Sequence, residues 1–228
     1  MGRGLVTVIR DVFVDHGDKI AEALLETGWM VAAAILADVV VGLPLGTLIY
    51  LTRSGGPLQN RVVWGLADMY VTIVRSFPFL LFVVFMIPVT RLVFGTTFGT
   101  AAASFPLAFV AVAIYARLVE QILLEIPPGI LTSARSMGAN VWQTVTKFLY
   151  VEARSGLVYA LTSATISFIS YSTVLGVVGG GGVGDFALRY GYQEYEFALM
   201  YVTIVLIIAC VLVLQTAGHL VSRALDRR

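Results

Sequence analysis

The chain has 228 residues, of which 58% are hydrophobic and only 13% charged, whereas an ordinary soluble domain carries about 25% charged residues. Its mean hydropathy is +0.89, and 15 Lys and Arg against 14 Asp and Glu leave a net charge of +1. These values exclude a soluble globular protein, a disordered chain and a protein that binds nucleic acid through a basic face. The one cysteine, Cys210, excludes a disulfide framework or a four-ligand zinc site within one chain. We expect residues 1–228 to form a single transmembrane domain.

A bilayer core is crossed by about 20 mostly apolar residues. Windows of this kind predict an all-α, multi-pass protein with five transmembrane helices, at residues 28–51, 70–90, 97–117, 157–178 and 198–219. The first window holds one acid, Asp38, for which we expect a hydrogen bond or ion pair inside the helix bundle. Pro78 kinks the second region, and we expect Arg75 before it to pair with Asp68 or with freed backbone carbonyls.

Basic residues predict the orientation of the chain, because Lys and Arg accumulate in short cytoplasmic loops. Nine of them fall on the side of the C-terminus and five on the opposite side. The nine are Arg53, Arg61, Arg117, Arg135, Lys147, Arg154, Arg223, Arg227 and Arg228, and the five are Arg3, Arg10, Lys19, Arg91 and Arg189. We therefore expect the C-terminus in the cytoplasm and the N-terminus outside.

The first 26 residues are expected to form a lead-in at the outer membrane surface. No long apolar core follows Arg3, so we expect no secretory signal. Apolar residues recur at helical spacing instead, namely Leu5, Val8, Ile9, Val12 and Phe13. This pattern favours a short helix lying on the outer interface.

The long cytoplasmic loop, residues 117–156, is the expected place of function. Pro127 and Pro128 can open a helix and Gly138 can close one, which predicts a helix from Pro128 to Met137. Its apolar residues form one stripe and its polar residues the opposite face. The stripe comprises Ile130, Leu131, Ala134 and Met137, and the polar face comprises Thr132, Ser133, Arg135 and Ser136.

A second amphipathic helix is predicted directly after this one. Asn140 followed by Gln143 resembles a capping box, which marks a helix start. Its apolar side comprises Val141, Trp142, Val145, Phe148 and Leu149. The loop therefore predicts a short helix held below the bilayer and an interfacial helix that leads into the fourth span.

The first of these helices resembles the E-A-A loop of ABC-importer permease subunits. The resemblance rests on Leu131-Thr-Ser-Ala-Arg-Ser-Met-Gly-Ala139 and on Lys147-Phe-Leu-Tyr-Val-Glu152 after it. Thr132 stands where the family has Glu, and Val151 and Ser155 stand where prolines are usual. In that family the loop is a coupling helix that docks in a groove of a cytoplasmic ATPase. The resemblance thus implies ATPase coupling by Ile130, Leu131, Thr132, Ser133, Ala134, Arg135, Met137 and Gly138.

Further segments are similar in order and spacing to the permease subunits of methionine importers, over nearly all of residues 23–228. They are Gly42-Leu-Pro-Leu-Gly46 with Tyr50-Leu-Thr-Arg53, Arg75-Ser-Phe-Pro-Phe79, Met86-Ile-Pro-Val-Thr-Arg91 with Phe94-Gly-Thr96, Leu123-Leu-Glu-Ile-Pro127, and Gly179 to Gly184 with Arg189-Tyr-Gly-Tyr192. The resemblance implies the type I ABC importer fold in the cytoplasmic (inner) membrane. It also implies a homodimer, two copies of a separate ATPase that binds ATP and Mg, and an extracytoplasmic binding protein that delivers methionine.

In the family that this chain resembles, the end of the fourth span lines the central gate. The corresponding residues here are Tyr171, Val174, Leu175, Gly176, Gly179 and Gly180. The chain has no G-x-x-x-x-G-K-[ST] motif, the phosphate-cradling loop of many ATPases. We therefore expect no catalytic residue, metal or cofactor in this chain and ATP hydrolysis in a partner subunit.

Three alternatives remain open at this point. The same class of permease would serve another amino acid or small zwitterion equally well. A secondary transporter is expected to show internal repeats and midplane ion ligands, but the sequence shows no repeat and a lone Asp38. A membrane enzyme needs a cluster of reactive side chains, and His16, Cys210 and His219 are dispersed.

Overall fold

The computed structural model describes residues 5–226, which form ten α-helices and three π-helical segments. Arg3, Arg227 and Arg228, which contribute to the expected orientation, lie outside the described residues, as do the side chains of Leu5, Val8 and Ile9. The helices are α1 (Leu5–Ala37), α2 (Leu43–Thr52), α3 (Arg61–Ser76), α4 (Phe79–Phe94), α5 (Thr100–Leu124), α6 (Pro128–Ser136), α7 (Val141–Gln143), α8 (Tyr150–Val177), α9 (Gly182–Phe186) and α10 (Phe197–Leu225). The π-helical segments are Asp38–Gly42, Thr144–Leu149 and Ala187–Gln193.

The described helices include four that are long and apolar enough to cross a membrane, and a bent pair brings the number to five. The four are Val12–Thr52, Thr100–Leu124, Val141–Val177 and Phe197–Leu225. The pair is α3 with α4, separated by Phe77 and Pro78 in extended conformation. An X-Pro step favours this conformation and ends α3. The predicted all-α, multi-pass protein is therefore confirmed, with five spans when the bent pair counts as one, although the predicted second span, 70–90, is broken at Phe77 and Pro78.

The predicted lead-in helix is continuous with the first span. α1 runs without a break from Leu5 to Ala37 and continues through the first π-helical segment into α2. Its glycines, Gly17 and Gly28, cost helix stability but do not end a helix as proline does. The prediction of a separate short helix was therefore wrong, because no proline or cap interrupts the stretch.

The described residues divide into two compact units. The first unit takes residues up to Ile35, Pro78–Phe109 and Thr165–Leu214. A cluster from α1, α9 and α10 forms part of its core, with Ile20, Val183, Phe186 and Leu199 almost fully buried. The ring of Phe79 stacks on that of Tyr171 at 4.5 Å, which joins the start of α4 to the last turns of α8.

The second unit takes Leu36–Phe77, Val110–Ala164 and the residues from Gln215 onward. Its core is a cluster around Tyr50, Val119, Leu123 and Leu149. α2 and α5 approach closely at Gly46, where an added Cβ would overlap the carbonyl oxygen of Ala116. The hydroxyl groups of Thr47 and Tyr150 share a hydrogen bond of 2.8 Å, and this bond links α2 to the start of α8.

Candidate functional site

Helix α6 lies where the sequence predicts a coupling helix, and its end is built by local hydrogen bonds. It runs from Pro128 to Ser136, one residue short of the predicted end. Gly138 has a φ of +68°, a left-handed conformation that glycine adopts with little strain. The N–H of Gly138 donates to Arg135 O at 3.0 Å, and the N–H of Ala139 donates to Ala134 O at 3.0 Å. The predicted turn at Gly138 is confirmed.

The apolar stripe of α6 faces the core of its own chain. Ala134 is fully buried, and Ile130 and Leu131 pack on the cluster that contains Leu51 and Leu149. Met137 is 66% exposed, so its place in the stripe was wrong. It is the residue after the helix, and the turn toward Gly138 directs its side chain away from the core.

The opposite face of α6 is exposed. Thr132, Ser133, Arg135 and Ser136 all lie on it. The hydroxyl of Thr132 donates to Pro128 O at 3.2 Å, so this side chain is bound to its own helix. Arg135 is the only charged residue of α6. No described acid forms an ion pair with it.

The predicted capping box is present at the next helix start. The Asn140 side chain accepts from Gln143 N at 2.9 Å, and the Gln143 side chain accepts from Asn140 N at 3.0 Å. Of the predicted apolar side, Val145 and Leu149 are buried, whereas Trp142 is 74% exposed. A cavity of about 260 Å³ lies beside α6. Its lining comprises Leu51, Pro57, Leu131, Arg135, Ala139, Val141 and Thr144.

An ion cluster on α3 and α5 replaces the predicted pairing of Asp68 with Arg75. The guanidinium of Arg117 lies 2.6 Å from Asp68 Oδ1 and 2.6 Å from Glu120 Oε2. Arg75 is exposed. The prediction was wrong because α5 extends past Arg117 to Leu124, which places that guanidinium beside Asp68.

Asp38 is fully buried within the first span, at the start of a π-helical segment. Neither of its carboxyl oxygens has a hydrogen-bond partner among the described residues. The expected pair or hydrogen bond is therefore not formed. π-helical turns occur often at functional positions, and the neighbouring Gly42 packs on Tyr115.

The six gate candidates at the end of α8 differ in their burial. Leu175, Gly176 and Gly180 are buried inside their own unit. Tyr171 is half-buried against Phe79, and Val174 and Gly179 are also half-buried. Leu175 has no exposed surface, so in this conformation it does not face an aqueous path. Part of the Val174 side chain remains exposed.

The glycine-rich segment after α8 folds back on the helix that precedes it. A Cβ on Gly184 would overlap the backbone of Thr173, and one on Gly176 would overlap the N–H of Asp185. Backbone atoms cannot yield to a side chain, so glycine is required at both contacts. The N–H of Gly99 also donates to Gly179 O at 2.9 Å.

Two residues that the sequence analysis did not single out hold this segment. Glu26 Oε2 accepts a hydrogen bond from Gly182 N at 2.6 Å, and Thr27 Oγ1 accepts one from Val183 N at 2.9 Å. The partners are 156 residues apart in the chain. No local spacing signals such a contact.

Comparisons with known proteins give one family. The family described as "Binding-protein-dependent transport system inner membrane component" matches residues 42–228. A relative from Vibrio cholerae, named "Probable D-methionine transport system permease protein MetI", is 39% identical over 95% of this chain and 96% of its own length. A relative of the same name from Pasteurella multocida is 39% identical over 90% of this chain and 94% of its own.

Solved structures agree with these relatives. A chain of the methionine ABC transporter MetNI in an inward-facing conformation has a TM-score of 0.88 and 40% identity, covering 91% of this chain and 96% of that one. A chain of an amino acid ABC transporter has a TM-score of 0.78 at 18% identity and shares the fold. The chain therefore belongs to the family of inner-membrane components of binding-protein-dependent transport systems.

Proposed function

We propose that this chain is the permease subunit of an ATP-driven methionine importer. Two copies form the path for methionine, two copies of a separate cytoplasmic ATPase bind ATP and Mg, and an extracytoplasmic binding protein delivers the substrate. The observation that carries the proposal is the match to MetNI, at 40% identity over 91% of the chain. The membrane-spanning helices and the ordered turn at Gly138 support it.

The exposed face of α6 is proposed as the contact with the ATPase. Ile130, Leu131 and Ala134 fix the helix to the permease core, so a push on the helix is transmitted to that core. Thr132 bonds to its own helix, whereas Ser133, Arg135, Ser136 and Met137 are exposed and available to contact the partner. A guanidinium pairs well with a carboxylate, so we expect an acid on the ATPase opposite Arg135.

Val174 is proposed as a gate residue. In a homodimer with two-fold symmetry one side chain occurs twice about the axis. Two small apolar side chains that meet there exclude water and ions, yet they can part for a zwitterion such as methionine. Affinity for the substrate then resides in the binding protein and direction in the ATPase.

The orientation is proposed with the C-terminus and α6 in the cytoplasm. The distribution of basic residues, nine against five, supports it. Cysteines placed at Ser54 and Arg135 should be protected from an impermeant thiol reagent in intact cells, and a cysteine at Asp185 should react. Reaction of Arg135→Cys from outside would contradict both the orientation and the coupling role.

Reconstitution tests the whole proposal. The permease is copurified with a candidate ATPase, placed in proteoliposomes and supplied with the binding protein. We expect ATP hydrolysis stimulated by the binding protein and uptake of methionine. A permease complex whose ATPase lacks its phosphate-binding lysine is the matched control. Uptake of another amino acid in place of methionine would keep the class of transporter and reject the substrate.

A further inference from the structure

We propose that Glu26 and Thr27 act as an outer latch, which holds the glycine segment Gly179–Phe186 closed over the end of α8 and must release for transport. The latch consists of the two hydrogen bonds from Gly182 N and Val183 N. The inference rests on the proposed function, because it assigns to these residues the positioning of the gate. All residues of the latch lie in the first compact unit.

The two side chains bind the start of α9 as a cap supplied from another helix. The first N–H groups of a helix have no partner within that helix. Gly181, the residue before α9, has no side chain to cap them. The carboxylate of Glu26 and the hydroxyl of Thr27 accept from two of these groups, at 2.6 Å and 2.9 Å. A hydrogen bond to a charged acceptor is stronger than a neutral one.

The latch is built on backbone that carries no side chain. A Cβ added to Gly181 would lie 2.6 Å from Glu26 Oε2, and one added to Gly182 would lie 2.7 Å from Thr27 Oγ1. Any larger residue at these positions would displace the carboxylate or the hydroxyl. The contact therefore depends on glycine on one side and on two specific polar groups on the other.

The segment that the latch holds is in direct contact with the gate region. Gly184 packs on the backbone of Thr173, and Gly176 packs on the N–H of Asp185. These contacts lie on either side of Val174 along α8. Because neither contact leaves free space, displacement of the glycine segment removes close packing on both sides of the α8 turn that carries Val174 and leaves this turn free to move.

A cavity beside the latch gives water access to it. The cavity measures about 170 Å³, and Glu26 and Gly182 are part of its wall, with Glu22 one helical turn from Glu26. Water that enters can replace the hydrogen bond of Gly182 N, so its release need not leave this N–H group bare. The bonds are thus strong enough to hold a closed state and accessible enough to break.

The chain is similar to one from a transporter solved in an inward-facing conformation, with a TM-score of 0.88, and we take the described state to be one in which the outer side is closed. Removal of the latch destabilises this state relative to the outward-open one. For the proposed importer we take opening of the outer side to accompany closure of the ATPase. Loss of the latch should therefore raise ATP hydrolysis in the absence of binding protein.

The experiment compares Glu26→Ala and Thr27→Val with Glu22→Ala in the purified permease–ATPase complex. Glu22 lines the same cavity, but the described residues offer it no hydrogen bond. We expect about tenfold higher basal hydrolysis for Glu26→Ala, the change in an equilibrium that loss of one charged hydrogen bond gives. Thr27→Val should show a smaller rise, Thr27→Ser should restore the wild-type value, and Glu22→Ala should leave it unchanged.

Hydrogen–deuterium exchange of residues 179–193 provides a readout that does not depend on transport. Exchange should be faster in Glu26→Ala and Thr27→Val and unchanged in Glu22→Ala. A general loss of structure would lower basal ATP hydrolysis, whereas loss of the latch should raise it. The direction of the change in hydrolysis therefore separates the two. If Glu26→Ala fails to assemble, Glu26→Gln keeps the volume and an acceptor without the charge, and it should show an intermediate rise.

Unchanged or reduced basal hydrolysis in an assembled Glu26→Ala or Glu26→Gln complex would overturn the latch. Unchanged exchange of residues 179–193 would overturn it as well. Failure of the wild-type complex to import methionine would instead reject the proposed function. In that case exchange still decides whether Glu26 and Thr27 hold the segment.

Discussion

The coupling turn around Gly138 and the glycine segment around Gly182 are both glycine turns, but they are held in different ways. The first is closed by hydrogen bonds between residues three to five positions apart, as in the bond from Ala139 N to Ala134 O. The second begins with local bonds of the same kind, from Gly179 N to Gly176 O and from Gly180 N to Leu175 O, but from Gly182 onward it is held by Glu26 and Thr27, 156 residues away. A turn of the first kind is a property of its own sequence. The part of the second turn that Glu26 and Thr27 hold forms only once the unit around it has folded.

The two kinds of turn should respond to an added side chain for different physical reasons. Gly184→Ala should have the largest effect, because its Cβ would overlap the backbone of Thr173. Overpacking of this kind costs about 1–3 kcal/mol, and we expect loss of uptake and a lower unfolding temperature in detergent. Gly65→Ala is the control, since its Cβ meets no atom within 4 Å. Wild-type uptake and stability of Gly184→Ala would show that the segment is not packed as described.

Gly138→Val should have the next largest effect, through backbone strain alone. A Cβ at Gly138 meets nothing within 4 Å, but its φ is +68°, which β-branched residues avoid. The strain of a left-handed residue is about 1–2 kcal/mol. We expect normal membrane insertion with loss of stimulated ATP hydrolysis and uptake. Gly138→Asn, which tolerates this conformation, should retain most activity, and equal activity of both variants would contradict the role of the turn.

Substitutions of Val174, the proposed gate residue, should have the third largest effect. Val174→Cys should form a disulfide between the two copies in oxidised membranes and stop uptake until it is reduced. Val174→Asp should admit water and give an ion leak without ATP. Leu175→Cys is the matched control, because Leu175 is fully buried in its own chain. Crosslinking of Leu175→Cys but not Val174→Cys would mean that the other face of α8 lines the path.

Asn140→Ala should have the smallest effect of the four. It removes the acceptor for Gln143 N and breaks the capping box. Loss of an N-cap costs about 1 kcal/mol, and the helix after it is held by buried Val145 and Leu149. We expect a modest drop in unfolding temperature and nearly normal uptake, with Asn140→Ser close to wild type. A drop as large as that of Gly184→Ala would show that this cap holds more than its own helix.

Sequence reasoning succeeded where local rules apply. The turn at Gly138 and the cap at Asn140 follow from residue types at fixed spacing, and both are present. The spans follow from the thickness of the bilayer. Met137 was misplaced because the helix ends one residue earlier and the turn redirects its side chain.

Contacts between distant segments were missed for a physical reason. Asp68 is paired with Arg117 and not with Arg75, which is nearer in the sequence. Packing of α3 on α5 decides which guanidinium is within reach. The ligands of the glycine segment, Glu26 and Thr27, carry no local signature at all. One sequence shows which residues are charged or small, but it does not show which helices meet.

The buried carboxyl of Asp38 has a consequence for biosynthesis of the protein. An acid at the centre of a membrane helix disfavours its insertion by about 2.5–3.5 kcal/mol, and the described residues give this one no hydrogen-bond partner. The helix nonetheless has a mean hydropathy of 2.1 across its most apolar window, so it can enter the bilayer despite the acid. The other residues of the span must therefore offset the cost of carrying this carboxyl into the bilayer.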